Sequence, residues 1–205
     1  CANKCIFCWR DNKIPVSKKW QGSFDKPEEI FNESLKAQYK LLTGFKSNKD
    51  IKREVYEKST KVKHVALSLI GEPITYPKIN QLTDLFHKNK ISTFVVTNGQ
   101  HPDAIKNLKP ITQIYLSIDA PNPELLKKVD CPLFKDYWQR LLKSLKILSN
   151  RKDRTCIRLT MIRSLNMLEP KNYAKLIMIA KPDFIEVKAY MHVGDSLKYY
   201  AHENM

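Results

Sequence analysis

Three cysteines lie close together at the start of the sequence, in the segment CANKCIFC: Cys1, Cys5 and Cys8. Their C-x3-C-x2-C spacing allows one short loop to bring three thiolates to a single metal ion or iron–sulfur cluster. Three ligands rather than four leave one coordination position open, which is where chemistry takes place at a catalytic metal. The alternative is that the thiols are small buried apolar side chains. We favour ligation, because chance rarely produces such a triplet in a chain with five cysteines.

Five short apolar runs further along the chain are candidates for the strands that position such a site. Each is rich in valine, isoleucine, leucine or aromatic residues, which is typical of buried β-strands. The runs cover residues 64–70, 92–97, 113–118, 156–162 and 183–187.

Between the runs, apolar residues recur at every third or fourth position, which predicts amphipathic helices. The helical patterns cover residues 30–42, 82–86, 134–148 and 170–179. The first helix is expected to begin at Asp25-Lys26-Pro27-Glu28, a start like a capping box with proline in the first turn. Strands that alternate with helices predict βα units and a parallel sheet, and therefore an α/β fold.

Polar residues follow each of the apolar runs: Glu72, Asn98, Asp119, Arg163 and Lys188 come after consecutive runs. The carboxyl ends of parallel strands meet at one edge of a sheet or barrel, where α/β active sites form. We therefore expect these side chains to surround one site. Each alone could instead be a turn former or a helix cap.

The charge balance of the chain is strongly positive, with 36 basic and 21 acidic residues and a net charge of +15. This balance indicates an anionic partner, with nucleic acid ahead of a membrane. Residues 46–63 contain seven basic and three acidic residues with weak periodicity, and we interpret them as a surface insertion. No apolar stretch reaches the length of about 18 residues that spans a bilayer. Five unevenly spaced cysteines favour a reducing, cytoplasmic location over a disulfide scaffold.

The cysteine triplet, with the aromatic Phe7 before its third cysteine, resembles the radical S-adenosylmethionine (SAM) superfamily, as does Gly71-Glu72-Pro73. Four longer segments resemble the family of tRNA 4-demethylwyosine synthases, which act in wybutosine biosynthesis. They are NKCIFCWR (3–10), ALSLIGEPITYPKIN (66–80), PLFKDYWQRLLKSLK (132–146) and PDFIEVKAYMHVG (182–194). The resemblance extends over residues 1–205, which we interpret as one radical SAM core domain.

The resemblance implies a partial (β/α)6, TIM-like barrel that holds a [4Fe-4S] cluster through Cys1, Cys5 and Cys8, with SAM at the open iron. It also implies that this chain is a fragment, which lacks the first barrel strand and terminal parts. An upstream segment of the family carries a second [4Fe-4S] cluster and a lysine proposed to hold pyruvate as a Schiff base. Cys131 and Cys156 do not match that second motif, and we expect both to be structural.

The implied reaction converts N1-methylguanosine-37 of tRNA-Phe and pyruvate into 4-demethylwyosine, which classes the enzyme as a carbon–carbon lyase. Electron transfer into SAM would yield a 5′-deoxyadenosyl radical that removes hydrogen from the N1-methyl group. The electron would come from a flavodoxin-like donor or a chemical reductant.

The resemblance also implies roles for individual residues. The residues expected to contact SAM are Phe7, Gly71, Glu72, Asn98, Ser117 and Asp119. Lys188 is a weak catalytic candidate that could instead cap the barrel. The residues expected to contact RNA, by stacking or through phosphate, are Trp9, Arg10, Arg151 and Arg163, and Trp20 is a further stacking candidate. Core packing is the alternative for both tryptophans.

Two other functions stay open on the sequence alone. One is a radical SAM enzyme that acts on a peptide or a small molecule. The other is a zinc-stabilised, basic RNA-binding module, which would need a fourth protein ligand. No histidine occurs in the first 63 residues, and this weighs against a local zinc knuckle.

Overall fold

A single parallel β-sheet organises the chain in the computed structural model, which describes residues 1–11, 13–199 and 204. Its five strands are β1 (His64–Leu67), β2 (Ser92–Thr97), β3 (Gln113–Ser117), β4 (Arg154–Met161) and β5 (Phe184–Ala189). They pair in chain order, and every pair is parallel. The predicted α/β fold is therefore confirmed, with each strand within a few residues of its apolar run.

Helices connect the strands as a βα pattern requires. They are α1 (Pro27–Leu42), α2 (Arg53–Ser59), α3 (Ile79–Lys88), α4 (Pro102–Asn107), α5 (Pro123–Asp130), α6 (Tyr137–Leu148) and α7 (Pro170–Ala180). Short 3-10 segments cover Thr43–Phe45, Pro73–Thr75 and Gly194–Lys198. The sequence patterns predicted α1, α3, α6 and α7. The patterns missed α2, α4 and α5.

The two faces of the sheet differ because successive side chains of a strand point in opposite directions. One face packs on the helices through fully buried residues such as Val95, Ile114 and Ile157. The other face is half-buried and mixed in character, since it carries Val96 as well as Tyr115 and Arg158 on adjacent strands. A parallel sheet with helices packed on one face is the architecture of a partial TIM-like barrel, as expected.

A smaller apolar cluster attaches α1 to the edge of the sheet. Phe86 of α3 is buried, and its ring centroid lies 5.1 Å from that of Phe31 of α1. The expected capping box of α1 is wrong, because Lys26 is the N-cap residue and makes no side-chain capping hydrogen bond. Pro27 does occupy the first turn. The backbone carbonyl of Asp25 instead accepts a hydrogen bond of 2.7 Å from the Tyr76 hydroxyl.

Residues 46–63 lie on the surface, and none of them is buried. They contain α2, whose charged side chains pair one turn apart, as Arg53 and Glu57 do at 2.9 Å. Such pairs support a helix without an apolar stripe, which explains why periodicity missed it. That this segment is an insertion stays a prediction. Across residues 1–11, 13–199 and 204, every helix is too short or too polar to cross a bilayer.

Candidate functional site

A cavity lies at the carboxyl ends of the strands, between the cysteine loop and the concave face of the sheet. Its enclosed part has a volume of about 190 Å³. Twelve of the fifteen predicted site residues line it, whereas Trp20, Arg151 and Arg163 lie elsewhere. The twelve are Cys1, Cys5, Phe7, Cys8, Trp9, Arg10, Gly71, Glu72, Asn98, Ser117, Asp119 and Lys188.

The cysteine loop is fixed to the end of α5 by backbone hydrogen bonds. The amide of Lys4 donates to the carbonyl of Asp130, and that of Ile6 donates to the carbonyl of Val129, each at 2.9 Å. Cys131 ends α5 in a left-handed conformation, with φ of 42°, which turns the chain beneath the loop. Cys131 is therefore part of this turn and lies outside the cavity lining, in agreement with a structural role.

A buried polar pair reinforces this attachment. Nδ2 of Asn3 donates to a carboxylate oxygen of Asp130 at 2.9 Å, and both residues are 3% exposed. Burial raises the pKa of the Cys5 thiol well above its usual value, and the carboxylates of Asp130 and Asp119 raise it further. The thiol therefore holds its proton strongly, and a metal must displace that proton when it binds.

The donor set suits an iron–sulfur cluster. Among the described residues, no three or more histidine, cysteine, aspartate or glutamate side chains surround a position for a single metal ion. A cluster requires a different arrangement, because each thiolate binds its own iron. Three soft sulfur donors line one cavity, and Nδ2 of Asn98 approaches Sγ of Cys1 at 3.5 Å. Hydrogen bonds to such sulfurs tune a cluster, so the residues present fit this group.

Glu72 is buried in the same cavity as the thiols, and one of its two carboxylate oxygens is unsatisfied among the described residues. Oε2 accepts a hydrogen bond of 2.9 Å from the backbone amide of Asn98, whereas Oε1 is buried and has no partner among the described residues. Burial raises the pKa of Glu72 to about 7, although hydrogen bonds from Asn98 and Thr97 oppose the rise. A buried carboxylate with a free oxygen is a site for a cationic hydrogen-bond donor.

The loop that carries Glu72 has an unusual backbone. Gly71 has φ of +94°, which glycine adopts without strain, and Leu69 has φ of +88°. Leu69 is a branched residue for which this conformation is strained, and its side chain is 73% exposed at the cavity. Backbone strain of this kind concentrates at functional sites, and this loop leads directly into Glu72 at the cavity.

Asp119 repeats the arrangement of Glu72 at the end of β3. It is 4% exposed, and Oδ1 is buried without a partner among the described residues. Burial raises its pKa, against hydrogen bonds from Thr160 and the positive charges of Arg158 and Lys188. Ser117, the last residue of β3, lies two residues earlier and lines the same cavity. The wall therefore offers a hydroxyl and a second acceptor to a polar ligand.

The sequence patterns missed Arg158, which lines the cavity with Lys188. Nε of Arg158 pairs with a carboxylate oxygen of Glu186 on β5 at 2.6 Å. Its guanidinium carbon lies 4.7 Å from the centroid of the Tyr115 ring. A signal was present, because a charged residue inside an apolar run must point to the polar face of its strand.

Residues after β5 close the site against the cysteine loop. Gly194 has φ of +60°, and a Cβ atom there would overlap the backbone carbonyl of Trp9. Only glycine permits this close approach. Gly194 ends one of the segments that carry the family resemblance, which was the available signal. Trp9 is 36% exposed beside this contact.

Two of the residues expected to contact RNA have their charged groups in contacts within the protein, and their roles in RNA binding stay predictions. Arg10 is 4% exposed, and its guanidinium donates to the carbonyls of Asp11 and Ile14 within its own loop. Arg151 forms a buried ion pair of 2.5 Å with Asp153 at the amino-terminal edge of the sheet, away from the cavity. The guanidinium groups of both arginines are therefore engaged in contacts within the protein. Arg163 is exposed after β4, at the same edge of the sheet as the cavity.

Two family models match the chain. One, described as the radical SAM superfamily, matches residues 1–177, and one described as wyosine base formation matches residues 179–205. Similar curated proteins are the S-adenosyl-L-methionine-dependent tRNA 4-demethylwyosine synthases of Homo sapiens (TYW1) and Oryza sativa subsp. japonica, each 48% identical over 196 residues. These alignments cover 96% of this chain but 27% and 30% of the two relatives. The chain therefore spans less than a third of their length.

Solved structures give the same relationship. A structure of TYW1 with a lysine-pyruvate adduct bound has a TM-score of 0.86 and 35% identity, and the match covers all of this chain and 64% of the other. A crystal structure of archaeal TYW1 has a TM-score of 0.76 and 33% identity over 93% of this chain and 66% of that one. With a radical SAM family model over residues 1–177 and the matching half-barrel, this chain belongs to the radical SAM superfamily.

Proposed function

We propose that this chain forms the radical SAM core of a tRNA 4-demethylwyosine synthase. The relatives that carry this name are 45–48% identical over almost the whole chain, and the wyosine family model covers its carboxyl-terminal residues. The observation that carries the proposal is the cavity in which three thiols face two buried carboxylates, each with an unpartnered oxygen. In this proposal Cys1, Cys5 and Cys8 hold the [4Fe-4S] cluster.

The buried carboxylates have separate tasks in this site. The unpartnered Oε1 of Glu72 would accept a hydrogen bond from the SAM ammonium, and the charge of that group would favour the ionised carboxylate. Oδ1 of Asp119 and the Ser117 hydroxyl would bind the ribose. Asn98 holds Glu72 in place through its backbone amide and approaches Cys1 through its side chain. Phe7 supplies an apolar contact for the adenine.

When bound, the cluster and SAM supply the one-electron chemistry that produces a 5′-deoxyadenosyl radical. The chain's own residues place the substrate beside that site and keep water out. Arg158 and Lys188 put two positive charges on the concave face, close to Asp119. They would attract the carboxylate of pyruvate or a phosphate, and Lys188 remains the candidate within this chain for a direct catalytic contact.

The second substrate is tRNA-Phe in this proposal. Trp9 and Arg163 are exposed around the cavity and would contact the RNA, and the net charge of +15 favours a polyanion. The reaction with pyruvate would be that of a carbon–carbon lyase in the cytoplasm, with the electron supplied by a flavodoxin-like protein or a chemical reductant. A second [4Fe-4S] cluster and the Schiff-base lysine would belong to an upstream segment.

The decisive experiment uses the full-length protein after anaerobic reconstitution. Incubation with tRNA-Phe, SAM, reductant and pyruvate should convert N1-methylguanosine to 4-demethylwyosine, detected by mass spectrometry of the digested RNA. A cluster-loaded protein that leaves the tRNA mass unchanged would point to a peptide or small-molecule substrate. A colourless protein that retains zinc instead of iron would point to the RNA-binding module.

A further inference from the structure

A second cavity lies directly beside the first. The 3-10 segment Pro73–Thr75 separates them, since Pro73 lines the first cavity whereas Ile74 and Thr75 line the second. The segment that forms its outer wall is tied to the cysteine loop, because the amide of Ser17 donates to the carbonyl of Cys1 at 2.9 Å. The second cavity has a volume of about 380 Å³, which is within the range of sites for small ligands.

The outer wall of this cavity is basic and aromatic. Lys18, Lys19 and Trp20 follow one another along it, and all three are exposed. The Trp20 ring is held edge-on to Tyr76 at 5.7 Å between centroids, while 42% of the residue remains exposed. Among the residues that the structure describes, no acidic side chain lines the cavity. An aromatic platform beside two cations is the usual arrangement for a single-stranded nucleotide.

The inner wall contains a polar group that lacks a partner. Nε2 of His101 is buried and forms no hydrogen bond to any described residue. Burial lowers the pKa of His101 to about 4, and the nearby charge of Arg140 contributes. The imidazole is therefore neutral at physiological pH and can exchange a hydrogen bond with a neutral ligand. Buried nitrogens are rarely left unsatisfied in native proteins, so this nitrogen is available to a ligand group or an ordered water.

We infer that the second cavity binds a nucleotide that flanks the target base in the RNA. The flanking base stacks on Trp20 and meets His101 with its polar edge, and its phosphate lies against Lys18 and Lys19. The target base then enters the first cavity on the other side of Pro73–Thr75. The inference rests on the proposed function, because it requires an RNA substrate, and it adds a subsite that holds the strand while one base is inserted.

The test measures binding of a tRNA anticodon stem–loop to the full-length, cluster-loaded protein by fluorescence anisotropy. Replacing Trp20→Leu removes the stacking platform and keeps an apolar side chain against Tyr76, so Kd should rise about 5- to 150-fold. Trp20→Phe should retain part of the affinity. The matched control is Tyr39→Leu, because Tyr39 has the same 42% exposure on α1 and lies outside both cavities.

The salt dependence of RNA binding tests the phosphate contacts separately. The double variant Lys18→Ala/Lys19→Ala should reduce the slope of log Kd against log salt by about 1.4, the value for two contacts to a single strand. Lys146→Ala/Lys152→Ala removes two exposed lysines near the opposite edge of the sheet and should leave the slope unchanged. Each variant must keep the thermal stability and the SAM-perturbed cluster spectrum of the parent protein.

The outcomes separate this inference from the proposed function. If the parent protein binds the stem–loop and the Trp20 and lysine variants bind it equally well, the subsite is refuted and the proposed function stands. If the parent protein does not bind the stem–loop, the proposed function fails and the subsite fails with it. A rise in Kd for Trp20→Leu without a change in the control supports the subsite.

Discussion

Replacing Glu72→Gln should weaken SAM binding and at the same time stabilise the protein that lacks SAM. The amide keeps the size of the side chain and an oxygen that can accept the 2.9 Å hydrogen bond from Asn98. It removes the negative charge that faces the cavity. Hydrogen bonds to charged groups contribute about 1.5–3 kcal/mol, against about 1 kcal/mol for neutral pairs. The difference of about 0.5–2 kcal/mol predicts that SAM binds about 2- to 30-fold more weakly.

The effect on folding has the opposite sign. Glu72 has a pKa of about 7 in the folded protein, against an ordinary value of 4.5. Below pH 4.5 the carboxyl is protonated in both the folded and the unfolded state, so its ionisation does not lower the free energy of unfolding. Above pH 4.5 the unfolded state releases this proton while the folded state still holds it, which favours unfolding. The free energy of unfolding therefore falls as the pH rises through the folded pKa. The full loss above pH 7 is about 3 kcal/mol, at 1.36 kcal/mol per pKa unit. Glutamine does not ionise and avoids this loss.

The two effects need separate assays. Equilibrium dialysis of SAM against the cluster-loaded, full-length protein measures binding, and urea unfolding without SAM at about pH 5 and about pH 8 measures stability. Glu33→Gln serves as the control, because Glu33 is exposed on α1 and pairs only with Lys36 among the contacts described. The reasoning is refuted if Glu72→Gln binds SAM as tightly as the parent, or if its stability relative to the parent does not increase between pH 5 and pH 8.

Two further substitutions test the positions of Gly194 and Arg151. Gly194→Ala places a methyl group against the Trp9 carbonyl at a positive φ, so it should destabilise the protein by more than about 1 kcal/mol and lower cluster retention. Gly44→Ala is the matched control, because its Cβ meets no atom within 4 Å and unfolding should change little. Arg151→Met leaves Asp153 buried without its partner and should cost about 3–5 kcal/mol in thermal unfolding. A loss of RNA affinity without a loss of stability in Arg151→Met would support the predicted role of Arg151 as an RNA contact.

The strands could be predicted because each is a dense apolar run. Since the strands pair in parallel, the polar residues that follow them lie at one edge of the sheet. The helices α4 and α5 were missed since each is short and begins at a proline, with too few turns to show a period. The helix α2 was missed for a different reason, because ion pairs and not an apolar stripe stabilise it. Periodicity therefore detects helices that bury a face and misses those that do not.

The sequence predicted the positions of the site residues but not their burial or their partners. Glu72 and Asp119 follow apolar runs, so their place at the sheet edge could be deduced from position alone. Their unpartnered oxygens and raised pKa values depend on burial, which no local pattern reveals. Arg151 shows the converse, since its charge indicated RNA binding, whereas Asp153 two residues away neutralises it within the fold. A basic residue in a sequence does not show whether its charge is already paired.

The buried polar atoms without partners connect the two cavities. Among the described residues they are Asn3 Oδ1, Glu72 Oε1, Gln100 Oε1, His101 Nε2, Asp119 Oδ1 and Asp130 Oδ1. Asn3, Glu72 and Asp119 line the first cavity, and His101 lines the second. Asp130 accepts a hydrogen bond from Asn3, and Gln100 precedes His101 in the chain. Native proteins tolerate few such atoms, and four of these six belong to residues that line one of the two cavities. The first cavity presents carboxylate oxygens, which suit a cationic ligand with hydroxyl groups. The second presents a neutral imidazole and the ring of Trp20, which suit a base. The two cavities therefore suit different ligands, as the proposed reaction between a SAM-derived radical and one base of an RNA strand would require.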